Sequence, residues 1–123
     1  MQSNQSLPLA QLAAQLAESK KAFDLQLLDT SEVSSLADYF LVCSAKSLTQ
    51  IKAISETIKT ELKKEGIFPI GLECDANSEW HLLDYGDVII HILHQDKRAF
   101  YQIEAFWSHA EQMPPTWQTL QAS

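Results

Sequence analysis

The chain has 123 residues, 46% of them hydrophobic and 20% charged, which suits one domain that buries roughly two-thirds of its unfolded surface without staples. Its formal net charge is −7 and its nine Lys and Arg are scattered, so the basic stripe that drives phosphate-backbone binding is missing and a basic protein partner fits better. No run approaches the ~18 apolar residues of a membrane span, and MQSNQSLPLA reads as neither a secretory signal nor a transit peptide, which leaves the protein in the cytoplasm.

Residues 1–7 are polar and expected to be mobile. From Leu7, the positions Leu9, Leu12, Ala13 and Leu16 recur at helical spacing and predict an amphipathic helix to about Lys21. Phe23 to Leu28 then reads as a strand ending at Asp29. The polar turn TSEVSS leads to a second apolar strand, Tyr39 to Cys43. Ser47 with Gln50 three residues on is a capping-box signature. It opens a long helix whose stripe is Leu48, Ile51, Ile54, Ile58 and Leu62, with Gly66 as its stop. Ile67 to Leu72 predicts a short strand, held to an edge or an irregular course by Pro69. Trp80 to Tyr85 and Asp87 to Leu93 read as a hairpin about Gly86. Asp96 can cap a last helix with the stripe Phe100, Ile103, Phe106 and Trp107, and a tail with two prolines follows.

The order α-β-β-α-β-β-β-α implies an α/β domain, a mixed and mostly five-stranded sheet with helices packed on it. Strand, long helix and strand over residues 39–72 form a crossover expected to join parallel strands. The domain spans residues 8–108, between the lead-in 1–7 and the tail 109–123.

The stretch Trp80–His91 carries the most chemistry. With Tyr85-Gly86 as a two-residue loop, Asp84 would face Asp87, Leu82 would face Ile89 and Trp80 would face His91. Opposed carboxylates repel and call for a cation nearby. Arg98 is the nearest internal candidate in sequence. These residues can be plain core and turn, or partner anchors with the aspartates facing basic groups. They can also be a metal or catalytic cluster, for which no ligand spacing matches. The chain has no glycine-rich phosphate loop and no G-x-S-x-G. His81 and His94 read as structural strand histidines. Cys43 and Cys74 lack C-x-x-C spacing and basic neighbours, so neither a disulfide framework nor an activated thiolate is indicated.

Several of these segments, in order, resemble one family. They are Leu28-Asp29, Ser34-Ser35-Leu36-Ala37-Asp38-Tyr39-Phe40, Gln50 with Ala53-Ile54, Trp80-x-Leu82-Leu83-Asp84-Tyr85-Gly86-Asp87-Val88-x-x-His91, and Arg98-x-Phe100-Tyr101-x-Ile103-Glu104-x-x-Trp107. Together they are similar to the ribosomal silencing factor, or Iojap-like, family over roughly residues 8–108. Two segments differ from its usual pattern. Ser44-Ala45-Lys46-Ser47 stands where a Gly-bearing T-G-x-S segment is usual, and Cys74 follows Glu73 where a glycine is common.

The resemblance implies a nucleotidyltransferase-like topology without that activity, and no cofactor or metal. It implies a translation repressor that binds the fourteenth protein of the large ribosomal subunit and keeps the small subunit from joining, notably when nutrients run short. A homodimer in the free state is implied as well, and the charge read above argues for little direct nucleic-acid contact. The partner-binding residues carried over are Asp38, Tyr39, Trp80, Leu82, Asp84, Tyr85, Asp87, His91, Arg98 and Tyr101. Two rival functions stand beside this one. A nucleotidyltransferase-like enzyme would need clustered acidic metal ligands and a Gly-Ser loop that is absent, and a generic dimeric interaction module would need another partner.

Overall fold

A computed structural model of the chain describes residues 6–31, 37–101 and 111–112, with side chains as far as Arg98. Its elements are α1 (Ser6–Ser19), β1 (Phe23–Asp29), β2 (Tyr39–Ala45), α2 (Leu48–Lys64), β3 (Gly71–Glu73), β4 (Trp80–Asp84), β5 (Val88–His94), α3 (Gln95–Tyr101) and β6 (Glu111–Gln112).

The α1 helix does not bury the leucine stripe that its spacing predicts. Ala10, Ala13, Ala14 and Ala17 face the sheet with no exposed surface, while Leu7, Leu9, Leu12 and Leu16 are half-buried around them. Methyl side chains let the helix axis approach the strands closely, so the leucines straddle the contact line. The helix ends at Ser19. Its last carbonyls are closed by Ala22 N–H to Ala17 O at 3.1 Å and Lys21 N–H to Glu18 O at 2.9 Å, with Lys21 left-handed at φ +70.

The α2 signals act as read. Ser47 caps the helix, its hydroxyl accepting from Gln50 N–H at 3.1 Å. The Gln50 carbonyl reaches back to Lys46 N–H at 2.6 Å rather than to the cap residue, and its amide donates to Lys20 O and Lys21 O. One side chain therefore fastens the start of α2 to the end of α1. Gly66, at φ +78, supplies the left-handed stop, with Ile67 N–H returning to Leu62 O. Ile51, Ile54, Ser55, Ile58 and Leu62 are buried, while Leu48 keeps more than a third of its surface in water.

The sheet order is β3-β4-β5-β2-β1-β6. Five principal strands make the mixed sheet that the pattern implies, and β6, from the tail, adds two residues at the β1 edge. The crossover joins strands that run parallel, as expected, but are not neighbours. β2 pairs parallel with β5, Tyr39 against Val88 through Ala45 against His94, while β3 is carried past both hairpin strands to the far edge. β3 is also shorter than residues 67–72, because the segment containing Pro69 stays out of the ladder.

The hairpin register is also corrected. Asp84 pairs with Ile89, Leu82 with His91 and Trp80 with Leu93. The turn residues are Gly86 and Asp87, closed by Tyr85 N–H to Val88 O at 2.9 Å. Gly86 takes φ +87 and Asp87 does not, so glycine holds the first central position, as a type II′ turn requires. Val88, Ile90 and Ile92 then face α1 and α2. α3 begins one residue before Asp96, whose N–H donates to His94 Nδ1 at 3.2 Å. The expected Phe100–Trp107 stripe lies outside the described residues.

The helices divide the sheet into two faces. Tyr39, Leu41, Cys43, Leu83, Tyr85, Val88, Ile90 and Ile92 join Ala10, Ala13 and the α2 stripe in the main core. On the opposite face Leu28, Phe40, Ile89 and Leu82 form one cluster, and Val42, Leu93 and Trp80 another.

Candidate functional site

Alternation along β4 and β5 decides where each candidate side chain goes. Trp80, Leu82 and Asp84 share the face opposite α1 and α2 with Ile89 and His91. The indole Nε1–H of Trp80 donates to His91 Nδ1 at 3.1 Å, with the rings 5.8 Å apart, and Phe40 lies 5.1 Å from the imidazole on its other neighbour strand. His91 is 5% exposed, and its Nε2 finds no partner among the described residues. Burial holds it neutral, with its pKa down at about 4. Beside it, toward the β3 edge, lies a groove of about 340 Å³ lined by Glu73, Ser78, Trp80 and Leu82.

Asp38 and Asp87 meet at the end of the sheet, and Asp84 does not join them. Asp38 N–H and Tyr39 N–H both donate to Asp87 O, at 2.8 and 3.0 Å. Ser6 Oγ stands 3.3 Å from Asp38 Oδ2 and 3.3 Å from Asp87 Oδ2. Ser6 opens α1, so both carboxylates sit at a helix N-terminus, where the helix dipole favours negative charge. Asp84 is used locally, its Oδ1 accepting from Gly86 N–H at 2.8 Å to set the turn. The expected face-to-face pair of Asp84 and Asp87 is thus absent, because the turn sits one residue further on.

Tyr39 and Tyr85 point into the main core and are buried. Burial, then Asp29 and Asp38, raise the Tyr39 phenol, and burial pushes Tyr85 up to about 12. Arg98 does not serve the aspartates. It is buried at the other end of β2, where its guanidinium donates to Ser44 Oγ at 3.0 Å and to Asp24 O. Asp24 is left-handed at φ +50, in an irregular stretch of β1 where the register shifts between Phe23 and Gln26. The Tyr101 backbone belongs to α3, and its side chain lies outside the described residues.

His81 is closed into the core, its Nε2–H donating to Asp75 O at 3.0 Å and its Nδ1 accepting from the buried Ser55 hydroxyl at 2.7 Å. The carbonyl can only accept, which fixes that tautomer. Burial raises both thiols, Cys43 to about 12, so neither is an activated nucleophile.

Pattern reading missed Ser6, which joins the two aspartates from far away in the chain, and Phe40 beside His91. It also missed a charge feature visible in the sequence. From Glu65 to Asp96 there are seven acidic residues (Glu65, Glu73, Asp75, Glu79, Asp84, Asp87 and Asp96) and no lysine or arginine. β3, β4, the hairpin turn and β5 all lie within that stretch.

Residues 3–123 match the family model described as ribosomal silencing factor during starvation. A ribosomal silencing factor of Bacillus subtilis is 36% identical over 102 residues, covering 83% of this chain and 86% of that protein. Another, of Halalkalibacterium halodurans, is 38% identical over 88% of this chain and 91% of its own length. A crystal structure of a Chromobacterium violaceum protein superposes with a TM-score of 0.79 at 35% identity, covering 88% of each chain. The chain belongs to the ribosomal silencing factor family.

Proposed function

We propose that this protein represses translation by binding the large ribosomal subunit through its fourteenth protein, on the face that receives the small subunit. Its bulk then excludes the small subunit, and the block serves cells short of nutrients. It acts in the cytoplasm as an obstacle, with no cofactor and no catalysis. Family membership supports the ribosomal direction. The observation that carries the site is the groove beside Trp80 and Leu82, set in a stretch of chain that has carboxylates and no lysine or arginine.

A negatively charged protein is repelled by ribosomal RNA and attracted by the cationic proteins that stud it, so its charge selects a protein landing place. Trp80 and Leu82 are the half-buried apolar anchors on that face, and Glu73, Asp84 and Asp87 supply charge around them. Asp38 shares the Ser6 hydroxyl with Asp87 and keeps the hairpin tip in place. Tyr39, Tyr85, His91 and Arg98 act from beneath, by holding the strands that present the face.

Glu73 and Asp87 are both exposed, so reversing them to lysine leaves the core untouched. The Glu73→Lys, Asp87→Lys protein is expected to stay folded, with a lower unfolding temperature because Asp87 gives up its Ser6 contact at the α1 N-terminus, and to lose co-sedimentation with large subunits on a sucrose gradient. It should also no longer prevent subunit joining. Co-sedimentation at the wild-type level would rule out this face as the docking site.

A further inference from the structure

Large apolar side chains in water are concentrated at one edge of the sheet. Phe68 is 60% exposed, Ile70 75% and Leu72 46%. They recur at every second residue of the segment that leads into and through β3, with a bend at Ile70 before the strand begins. Leu72 pairs with Leu83, which places the Leu72 side chain on the α2 face of the sheet. The Ile70 Cδ1 reaches to 4.0 Å from where a Cβ on Gly86 would stand, so the strip runs up to the hairpin turn. β3 is the terminal strand, and no strand lies outside it among the described residues.

Scattered single exposed apolar residues are normal, but three within five residues at one sheet edge mark a contact surface. The surrounding charge is mainly negative, since Lys59, which lies near Cys74, is itself paired with Glu56 at 2.9 Å. Glu73 lies in β3 itself and Asp84 stands across from Gly71. The nearest bases in sequence, Lys63 and Lys64, belong to the last turn of α2, where Lys64 is tied to Glu61 at 2.9 Å.

We propose that the Phe68–Leu72 ledge at the β3 edge is a docking surface for an extended, lysine- and arginine-bearing segment of another protein. The segment lies along the open edge with alternate apolar side chains over Phe68, Ile70 and Leu72. Its cationic side chains meet Glu73, Asp84 and the rest of the stretch without lysine or arginine. An acidic or neutral strand would fit the apolar strip equally well but would lack the attraction. A second copy of this chain would bring its own carboxylates to the same edge. This surface adjoins the groove face described above and shares Glu73 and Asp84 with it, but its apolar part lies outside the groove and does not depend on the ribosomal reading.

The test uses the full chain and a short peptide of alternating lysine and valine, titrated by fluorescence anisotropy, with amide shifts followed by NMR. Saturable binding is expected, with shifts gathered at residues 70–73 and 82–86. The Phe68→Ser, Ile70→Ser protein should keep its melting temperature, since both side chains lie mostly in water, and bind about tenfold more weakly. A glutamate–valine peptide should not bind. Absence of saturable binding, equal binding by the glutamate peptide, or undiminished binding by the double variant would each overturn the proposal. So would a dimer, seen by sedimentation velocity, that the double variant dissolves, because the ledge would then belong to a second copy.

Discussion

His91 shows how much one side chain's chemistry depends on its neighbours. Trp80 occupies its Nδ1, so the ring proton sits on Nε2, which is buried and has no partner among the described residues. Charging the ring would put a cation beside Phe40 and Trp80 in a dry layer, and burial alone brings the pKa to about 4. The folded value lies below the ordinary ~6.5. The neutral form therefore contributes stability that is complete above about pH 6.5 and is lost as the pH falls toward 4. The full loss is about 3 kcal/mol. His91→Phe removes that titration. Urea unfolding at a series of pH values should show wild-type stability falling more steeply than the variant's between pH ~6.5 and ~4.5. Parallel curves would mean that another group carries the loss. The sequence left His91 open between core residue and contact, because its partner depends on a hairpin register that is settled only in three dimensions.

Among the elements, local punctuation was legible and neighbour choice was not. Ser47, Gln50 and Gly66 mark the ends of α2, and the structure uses each at its post. The hairpin turn landed one residue off, since Tyr-Gly and Gly-Asp are both plausible two-residue loops around the same glycine. What decides is the positive φ at Gly86 together with the burial of Val88 against α1 and α2. The parallel partner of β2 could not be read either, because chain order gives direction and leaves adjacency open. The α1 helix stops at a costlier cap than α2, with Lys21 in the left-handed region that glycine occupies freely. Lys21→Gly is expected to stabilise the protein by about 0.5–1 kcal/mol. Chemical denaturation measures it, and an unchanged midpoint would show that the Gln50 bonds to Lys20 O and Lys21 O already offset the strain.

At the scale of the whole molecule, charge and apolar surface are distributed unevenly. The formal net charge of −7 was plain from composition, but its concentration in the strands that build the groove and the β3 edge emerges only when sequence and topology are combined. If the docking face meets a cationic protein, its encounter with large subunits should slow as salt rises from about 0.05 to about 0.3 M, with a smaller effect on dissociation. Stopped-flow mixing measures both rates, and a salt-independent association rate would point to an apolar contact with no steering. The site residues were legible as a set, though their division of labour was not. Period two places Tyr85 and Trp80 on opposite faces only once the strand boundaries are fixed, and nothing near Arg98 in sequence announces Ser44 and Asp24 as its partners.

The parallel union of β2 with β5 has a further consequence for how the chain is made. β2 is buried along its whole length, yet α2, β3 and β4 are all synthesised before its central neighbour exists. β1 can cover one side of it early, as an antiparallel hairpin. The other side, with its row of open amides and carbonyls, must wait until His94 has emerged. A nascent chain stalled before Val88 would therefore carry an adhesive, half-finished sheet, so the growing polypeptide is most prone to aggregate during that interval.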